Sequence, residues 1–99
     1  MAGKGIAMYD KDLSNVWTVE IRFDEDDIHT HATVRAHRPH GDPLTARGDA
    51  YRNPRDASQP MVGEEIAAAR GLIALGTELL ERASMRIEKA THQPVHLYR

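Results

Sequence analysis

The stretch from Val62 to Ala83 most constrains how this chain can fold, because its apolar residues recur with the period of an α-helix. They cover roughly half of the helix circumference, whereas a surface helix needs a stripe of about 100°. The residues on this side are Ile66, Ala68, Ala69, Leu72, Ile73, Leu75, Gly76, Leu79, Leu80 and Ala83. The width predicts a partner beyond the chain's own core. We expect a homodimer, formed through this helix face or by exchange of the C-terminal segment.

Length and composition limit the classes of protein. Ninety-nine residues make one domain, which we place at 16–99 after a flexible N-terminal tail at 1–15. The absence of cysteine excludes a disulfide framework and suits a reducing compartment. The start has no secretory pattern, and the chain has no apolar run long enough to span a bilayer. We therefore expect a cytoplasmic protein that is not in a membrane.

Three segments alternate with the period of a β-strand: Val16–Phe23, about Ile28–Arg38, and about Leu44–Tyr51. The acidic run Asp24–Asp27 predicts a hairpin loop, and Pro39–Pro43 predicts a turn. Small residues dominate the apolar faces of the second and third strands, so the helix must approach closely. We expect Gly76 to lie at that approach, because it has no side chain.

The C-terminal part predicts two helices. The first begins near Gly63, with Glu64 and Glu65 in its first turn, and the second is short and capped by Ser84. Thr91–Pro94 ends the second helix, and His92 is expected to bond main-chain groups there. Val95, Leu97 and Tyr98 form a short alternating tail, which predicts docking either as an edge strand or across a partner. The predicted fold class is α+β, with a three-stranded antiparallel sheet packed on one long and one short C-terminal helix (β-β-β-α-α).

Charge is segregated along the chain. Residues 28–55 carry five basic and two acidic groups and four of the six histidines, whereas residues 1–27 carry three basic and seven acidic groups. The candidate RNA- or anion-binding residues on one sheet face are Arg22, His29, His31, Arg35, His37, Arg47 and Arg52. A simple solvated face is the alternative, since exposed sheet faces are ordinarily polar. The i, i+2 spacing of His29 and His31 is a weak metal signal, and we predict no metal.

Enzymatic motifs are lacking. The chain has no cysteine nucleophile, glycine-rich phosphate loop, nucleophile elbow or metalloprotease spacing. Glu64 and Glu65 are adjacent on a helix and do not face each other. We expect Arg70 to pair with a carboxylate. The sequence predicts no catalytic residue, cofactor or small-molecule substrate.

Several short motifs resemble a known family. Gly63-Glu64-Glu65 leads into Ala69-Arg70 and Leu75-Gly76, after Asn53-Pro54 and before Thr91–Pro94. Over residues 16–98 this looks like a small actinobacterial family of unknown function, with a fold similar to the double-stranded-RNA-binding domain (dsRBD). The resemblance implies dimers and a stress or dormancy association, and some members are likened to ribosome hibernation-promoting factors. The acidic Asp24–Asp27 loop and helix start oppose standard duplex binding, which needs basic groups there.

Two functions follow. The first is a non-enzymatic stress- or dormancy-related protein that binds the ribosome or RNA through the basic sheet face. The second is a homodimeric protein-interaction module without RNA binding. They differ in whether the protein associates with ribosomes at low salt, because phosphate contacts are sensitive to salt.

Overall fold

Three strands and one helix make up the part of the chain that the structure, a computed structural model, describes: residues 15–95 and 97. Strands β1 (Thr18–Glu25), β2 (His29–His37) and β3 (Leu44–Tyr51) precede helix α1 (Pro60–Thr91). The strands form an antiparallel sheet in the order β1-β2-β3. This confirms the α+β class and the three-stranded sheet. The predicted tail at 1–15 lies outside the described residues except for Asn15, and Tyr98 also lies outside them.

The sheet register places small residues on the side that faces α1. Val34 on β2 is opposite Ile21 on β1 and Ala46 on β3. The buried residues of this inner face are Thr30, Ala32, Val34, Ala36, Leu44, Gly48 and Ala50. The predicted inner faces of the second and third strands are therefore confirmed, because the alternation in sequence matches the alternation of a pleated strand.

The C-terminal part forms one helix, so the predicted second short helix is wrong. Ser84 is buried within α1 and does not cap a new helix, since the residues around it are compatible with a continuous helix. Proline occupies the first turn, and α1 starts earlier than expected, so Glu64 and Glu65 lie beyond that turn. The predicted end is confirmed: His92 adopts a left-handed conformation at φ 59°, and its N–H donates to the Glu88 carbonyl over 2.7 Å.

Helix α1 packs on β2 and β3 through small residues. A Cβ atom on Gly48 would overlap the main chain of Ala67 and Gly71, and a Cβ on Gly71 would overlap the Val34 side chain. Among the described residues, nothing lies within 4 Å of the position of a Cβ on Gly76. The close approach is confirmed, but its assignment to Gly76 is wrong. The predicted helix face was centred on large apolar residues, whereas glycine and alanine make the observed contact between α1 and the sheet.

Among the described residues, none covers strand β1 on the helix side of the sheet, because α1 lies over its two neighbours. Trp17, just before β1, is 49% exposed, Val19 is 49% exposed and Phe23 is 38% exposed, while Ile21 packs against the edge of the core. The alternation of β1 was predicted, but only Ile21 is half-buried by this protomer. An apolar strip therefore remains open beside the helix.

The outward sides of α1 also carry apolar residues. Of the predicted helix face, Leu75 is buried, and Ala68, Gly76, Leu79 and Ala83 are half-buried. The exposed members are Ile66, Ala69, Leu72, Ile73 and Leu80. This set therefore contributes little to the protomer core, and its role as a dimer face stays a prediction. No helix of the described residues is both long and apolar enough to cross a membrane.

Candidate functional site

The side of the sheet opposite α1, here called the outer face, brings together six of the seven predicted anion-binding residues. Arg22 lies opposite Thr33, which lies opposite Arg47, and Arg35 is one row away on β2. The histidines on this face are His29, His31 and His37. The alternation of each strand, combined with the antiparallel register, is sufficient to place them together.

Acidic residues share the outer face with the arginines. Glu20 lies 3.7 Å from the Arg22 guanidinium and 3.8 Å from the His37 imidazole. Asp24 and Asp49 face His31 from the two sides. Over the three strands, three arginines are thus matched by three carboxylates, and the face is formally neutral when its histidines are neutral. The charge count by segment missed this balance, because Glu20 and Asp24 belong to the acidic first part of the chain.

Asp49 is the centre of a hydrogen-bond network on the outer face. Its carboxylate accepts from His29 Nε2 at 2.8 Å and from His31 Nδ1 at 3.1 Å, and it lies 3.4 Å from the Arg47 guanidinium. Thr33 Oγ1 is 3.2 Å from the second nitrogen of His31. The paired histidines therefore converge on a carboxylate. Within the described residues, no group of three or more His, Asp or Glu side chains is placed to hold a metal ion.

The His29 ring also stacks on Tyr51, with ring centroids 4.4 Å apart and planes 7° from parallel. Tyr51 is 72% exposed, but one side of its ring is covered by the imidazole. The stacking reduces the area available to a nucleic-acid base.

The hydrogen bond from His29 lowers the pKa of Asp49 to about 2, with further lowering by His31 and Arg47 against the opposing effect of desolvation. This value is below the 3.8 of an unperturbed aspartate. Ionised Asp49 therefore stabilises the fold above about pH 4, and its contribution is lost as the pH falls towards 2.

We expect Asp49→Asn to lower the melting temperature by several degrees at neutral pH, because the amide cannot attract the imidazole and guanidinium groups as a charge does. The difference from the unmodified protein should shrink as the pH falls through 4 towards 2. Thermal melts followed by circular dichroism across this range measure it. Asp42→Asn, in the exposed turn before β3, is the matched control. An equal loss at all pH values would contradict the electrostatic account.

Arg52, the seventh predicted residue, does not lie on the outer face, so its assignment there is wrong. Its guanidinium donates to the main-chain carbonyls of Asp27 and Asp56, and also to Asn53 over 3.3 Å. These bonds hold the segment after β3 against the β1–β2 turn. Because β3 ends at Tyr51, the alternation that placed Arg52 no longer applies.

A cavity of about 640 Å³ lies at this end of the sheet, between the β1–β2 turn, the segment after β3 and the start of α1. Ile28, Val62 and Ile66 supply apolar walls, and Asp26 and Asp27 lie at its acidic side. Glu25 also lines the cavity, and its hydrogen bond with Glu64 raises its pKa. Sequence reasoning missed this cavity, since its walls come from three separate segments.

Arg70 lies at the other sheet edge. Its guanidinium donates to the main-chain carbonyl of Asp49 over 2.8 Å. The predicted pairing of Arg70 with a carboxylate is therefore wrong, and the side chain instead ties α1 to β3. Hydrophobic periodicity places Arg70 at the margin of the helix face but gives no information about a main-chain acceptor.

The fold defines a small α+β domain in which one long helix lies on a three-stranded antiparallel sheet. The Rv2632c-like family matches residues 15–96, and the chain belongs to this family. The chain is 40% identical over 81 residues to the uncharacterized protein Mb1767 of Mycobacterium bovis, covering 82% of this chain and 85% of that protein. It is 34% identical over 77 residues to the uncharacterized protein Rv2632c of Mycobacterium tuberculosis, covering 78% and 82%.

The crystal structure of Rv2632c is similar to this protein, with a TM-score of 0.72 and 32% sequence identity. The match covers 80% of this chain and 93% of that one. The predicted membership of an actinobacterial family of unknown function is confirmed.

Proposed function

We propose that this chain is a non-enzymatic, homodimeric protein-interaction module. The observation that carries the proposal is the apolar strip left open on β1, which continues the inner face of the sheet beyond the edge of α1. Contiguous apolar surface of this kind marks an interaction site in soluble proteins.

The size of the protomer core supports association. The fully buried apolar side chains are mostly alanines, together with Val34, Leu44 and Leu75. Small side chains bury little area, so the core contributes little hydrophobic stabilisation at about 25 cal/mol per Å². Further burial of Val19 and Phe23 against another chain would add to it.

The chemistry of the outer face favours a binding role over catalysis. A hydroxyl, an imidazole and a carboxylate are linked in the order Thr33, His31, Asp49, which is the order that activates the nucleophile of a catalytic triad. However, Thr33 lies on the central strand, where main-chain N–H groups are used by the two neighbouring strands. They are not directed at a developing oxyanion, which acyl transfer requires.

If the chain is a homodimer, light scattering at micromolar concentration should give a mass of about 22 kDa, twice the 11.1 kDa of the chain. Val19→Lys should convert it into an 11.1 kDa monomer while the helix content is retained, because Val19 is already half-exposed in the protomer. Tyr51→Lys, at a 72% exposed position on the outer face, is the matched control and should stay dimeric. An unmodified protein that is monomeric throughout would overturn the proposal.

RNA or ribosome binding is a second candidate, together with the stress, dormancy and hibernation role that the family resemblance implies. The specific observation in its favour is the cluster of Arg22, Arg35 and Arg47 on one exposed sheet face. Their charge is offset by Glu20, Asp24 and Asp49 on the same face, which weakens the attraction for phosphates. The dsRBD-like classification of the fold is part of this second proposal.

Ribosome co-sedimentation at low and high salt tests the second candidate. Binding that is lost at high salt and that disappears when Arg22, Arg35 and Arg47 are changed to glutamate would support it. Absence of co-sedimentation at low salt would leave the protein-interaction module alone.

A further inference from the structure

Strand β1 has a free edge within the described part of the chain, because the sheet order ends with it. An edge strand presents main-chain N–H and C=O groups that can pair with another strand, and soluble proteins usually block it with proline, with charged side chains (lysine above all) or with a bulge. The eight residues of β1 include neither proline nor lysine, and their charged side chains, Glu20, Arg22, Asp24 and Glu25, are of both signs. All eight also pair with β2 in regular register, without a bulge.

The opposite edge of the sheet is protected. The Arg70 side chain reaches from α1 to the Asp49 carbonyl near the end of β3, which places a cation alongside that strand. Helix α1 also covers the inner face of β3. The two edges therefore differ, and β1 is the one open to a further strand.

We propose that β1 pairs in antiparallel register with β1 of a second copy of this chain, with Ile21 opposite Ile21 at the two-fold axis. This proposal deepens the homodimer proposed above by naming its interface. In this register Val19 lies opposite Phe23 on the inner face. Glu20 lies opposite Arg22 on the outer face, and the two-fold axis repeats both pairs. Directly opposed side chains in antiparallel strands are close enough to interact, so the pairs are complementary in charge and apolarity.

Neighbouring registers are disfavoured by the same residues. A shift of two residues in one direction places Glu20 opposite Glu20, and in the other direction places Arg22 opposite Arg22. A shift by one residue directs apolar side chains against polar ones, since successive side chains alternate between faces. The charge pattern of β1 thus selects one register.

The resulting six-stranded sheet would carry both helices on one side. The open strips of the two protomers would join into one apolar floor between the helices, formed by Val19, Ile21 and Phe23 of each copy. The single protomer shows only half of this surface.

Cysteine cross-linking tests the register directly, because the chain has no cysteine of its own. Directly opposed residues of an antiparallel pair have Cα atoms about 4.5–5.5 Å apart, within the range of a disulfide. Ile21→Cys should therefore give a covalent dimer under mild oxidation. Val19→Cys is the matched control on the same face, since the two Val19 positions would be roughly 13 Å apart and should not cross-link. The mixture of Val19→Cys with Phe23→Cys should give the heterodimer.

A charge exchange provides an independent measurement. Glu20→Arg alone should weaken the dimer about tenfold, because it places like charges opposite each other twice. Addition of Arg22→Glu should restore the affinity by exchanging the two charges. Melting of each variant at a protein concentration low enough for the monomer to predominate reports any separate effect on the protomer, where Glu20 also lies near Arg22 and His37.

The outcomes separate this inference from the proposed function. A 22 kDa particle in which Ile21→Cys does not cross-link, or in which Val19→Cys cross-links equally well, would overturn the β1 register and leave a dimer built elsewhere. A monomeric protein would overturn both. Cross-linking of Ile21→Cys together with recovery in the exchanged variant is the expected result.

Discussion

Gly48→Ala is expected to destabilise the protein by about 3 kcal/mol or more, because the added methyl group would overlap the main chain of α1. The overlapping atoms belong to Ala67 and to Gly71, and main-chain atoms cannot rotate away as a flexible side chain can. The helix would have to separate from β3 along the contact. Thermal denaturation should show a melting temperature lower by more than about 10 °C, or a protein that does not fold.

Gly76→Ala is the matched control for this substitution. Among the described residues, nothing lies within 4 Å of the added methyl group, and alanine is a better helix former than glycine by about 1 kcal/mol. This variant should therefore melt at a slightly higher temperature than the unmodified protein. Similar losses in both variants would contradict the assignment of the close approach to Gly48.

Leu75→Ala is expected to cost about 2–5 kcal/mol, because Leu75 is the large side chain of α1 that is buried in the core. It is 5% exposed and clusters with Val34 and Leu44. The loss combines the transfer free energy of the removed atoms with the cavity that remains. Urea titration followed by circular dichroism measures it as a lower midpoint with an unchanged slope.

Ile73→Ala distinguishes the structure from the sequence pattern. Ile73 and Leu75 both belong to the predicted apolar side of the helix, but Ile73 is 69% exposed. Its replacement should change the unfolding free energy by no more than about 0.5 kcal/mol. A loss at Ile73 as large as that at Leu75 would mean that the helix is rotated from the described orientation.

The strands were predictable because the residues that determine them are local. The alternation of Thr30 to Ala36 and of Leu44 to Ala50 identifies the buried face, and the proline-rich turn separates the two strands. The orientation of α1 was not predictable from hydrophobic periodicity. Periodicity places Ile66, Leu72 and Ile73 on the buried side of the helix. In the structure the sheet is lined by alanine and glycine, and the small residues of the helix pack against it. That selection depends on the facing surface and cannot be read from the helix alone.

The candidate site was predicted in part for the same reason. Strand parity and antiparallel pairing brought Arg22, Arg35 and Arg47 together with the histidines. The compensating carboxylates were overlooked because charge was counted along the chain and not across the sheet. The bonds of Arg52 and Arg70 to carbonyl groups depend on three-dimensional positions of the main chain, for which a single sequence carries no direct signal.

The contact between Gly48 and Gly71 has a mechanical consequence. Where two main chains touch without intervening side chains, neither can slide or rotate without steric overlap. The sheet and the helix should consequently move as one rigid body. The exposed apolar residues of β1 should therefore keep a fixed orientation relative to the helix. A binding partner would meet a preformed surface, and recognition would require little rearrangement of the main chain.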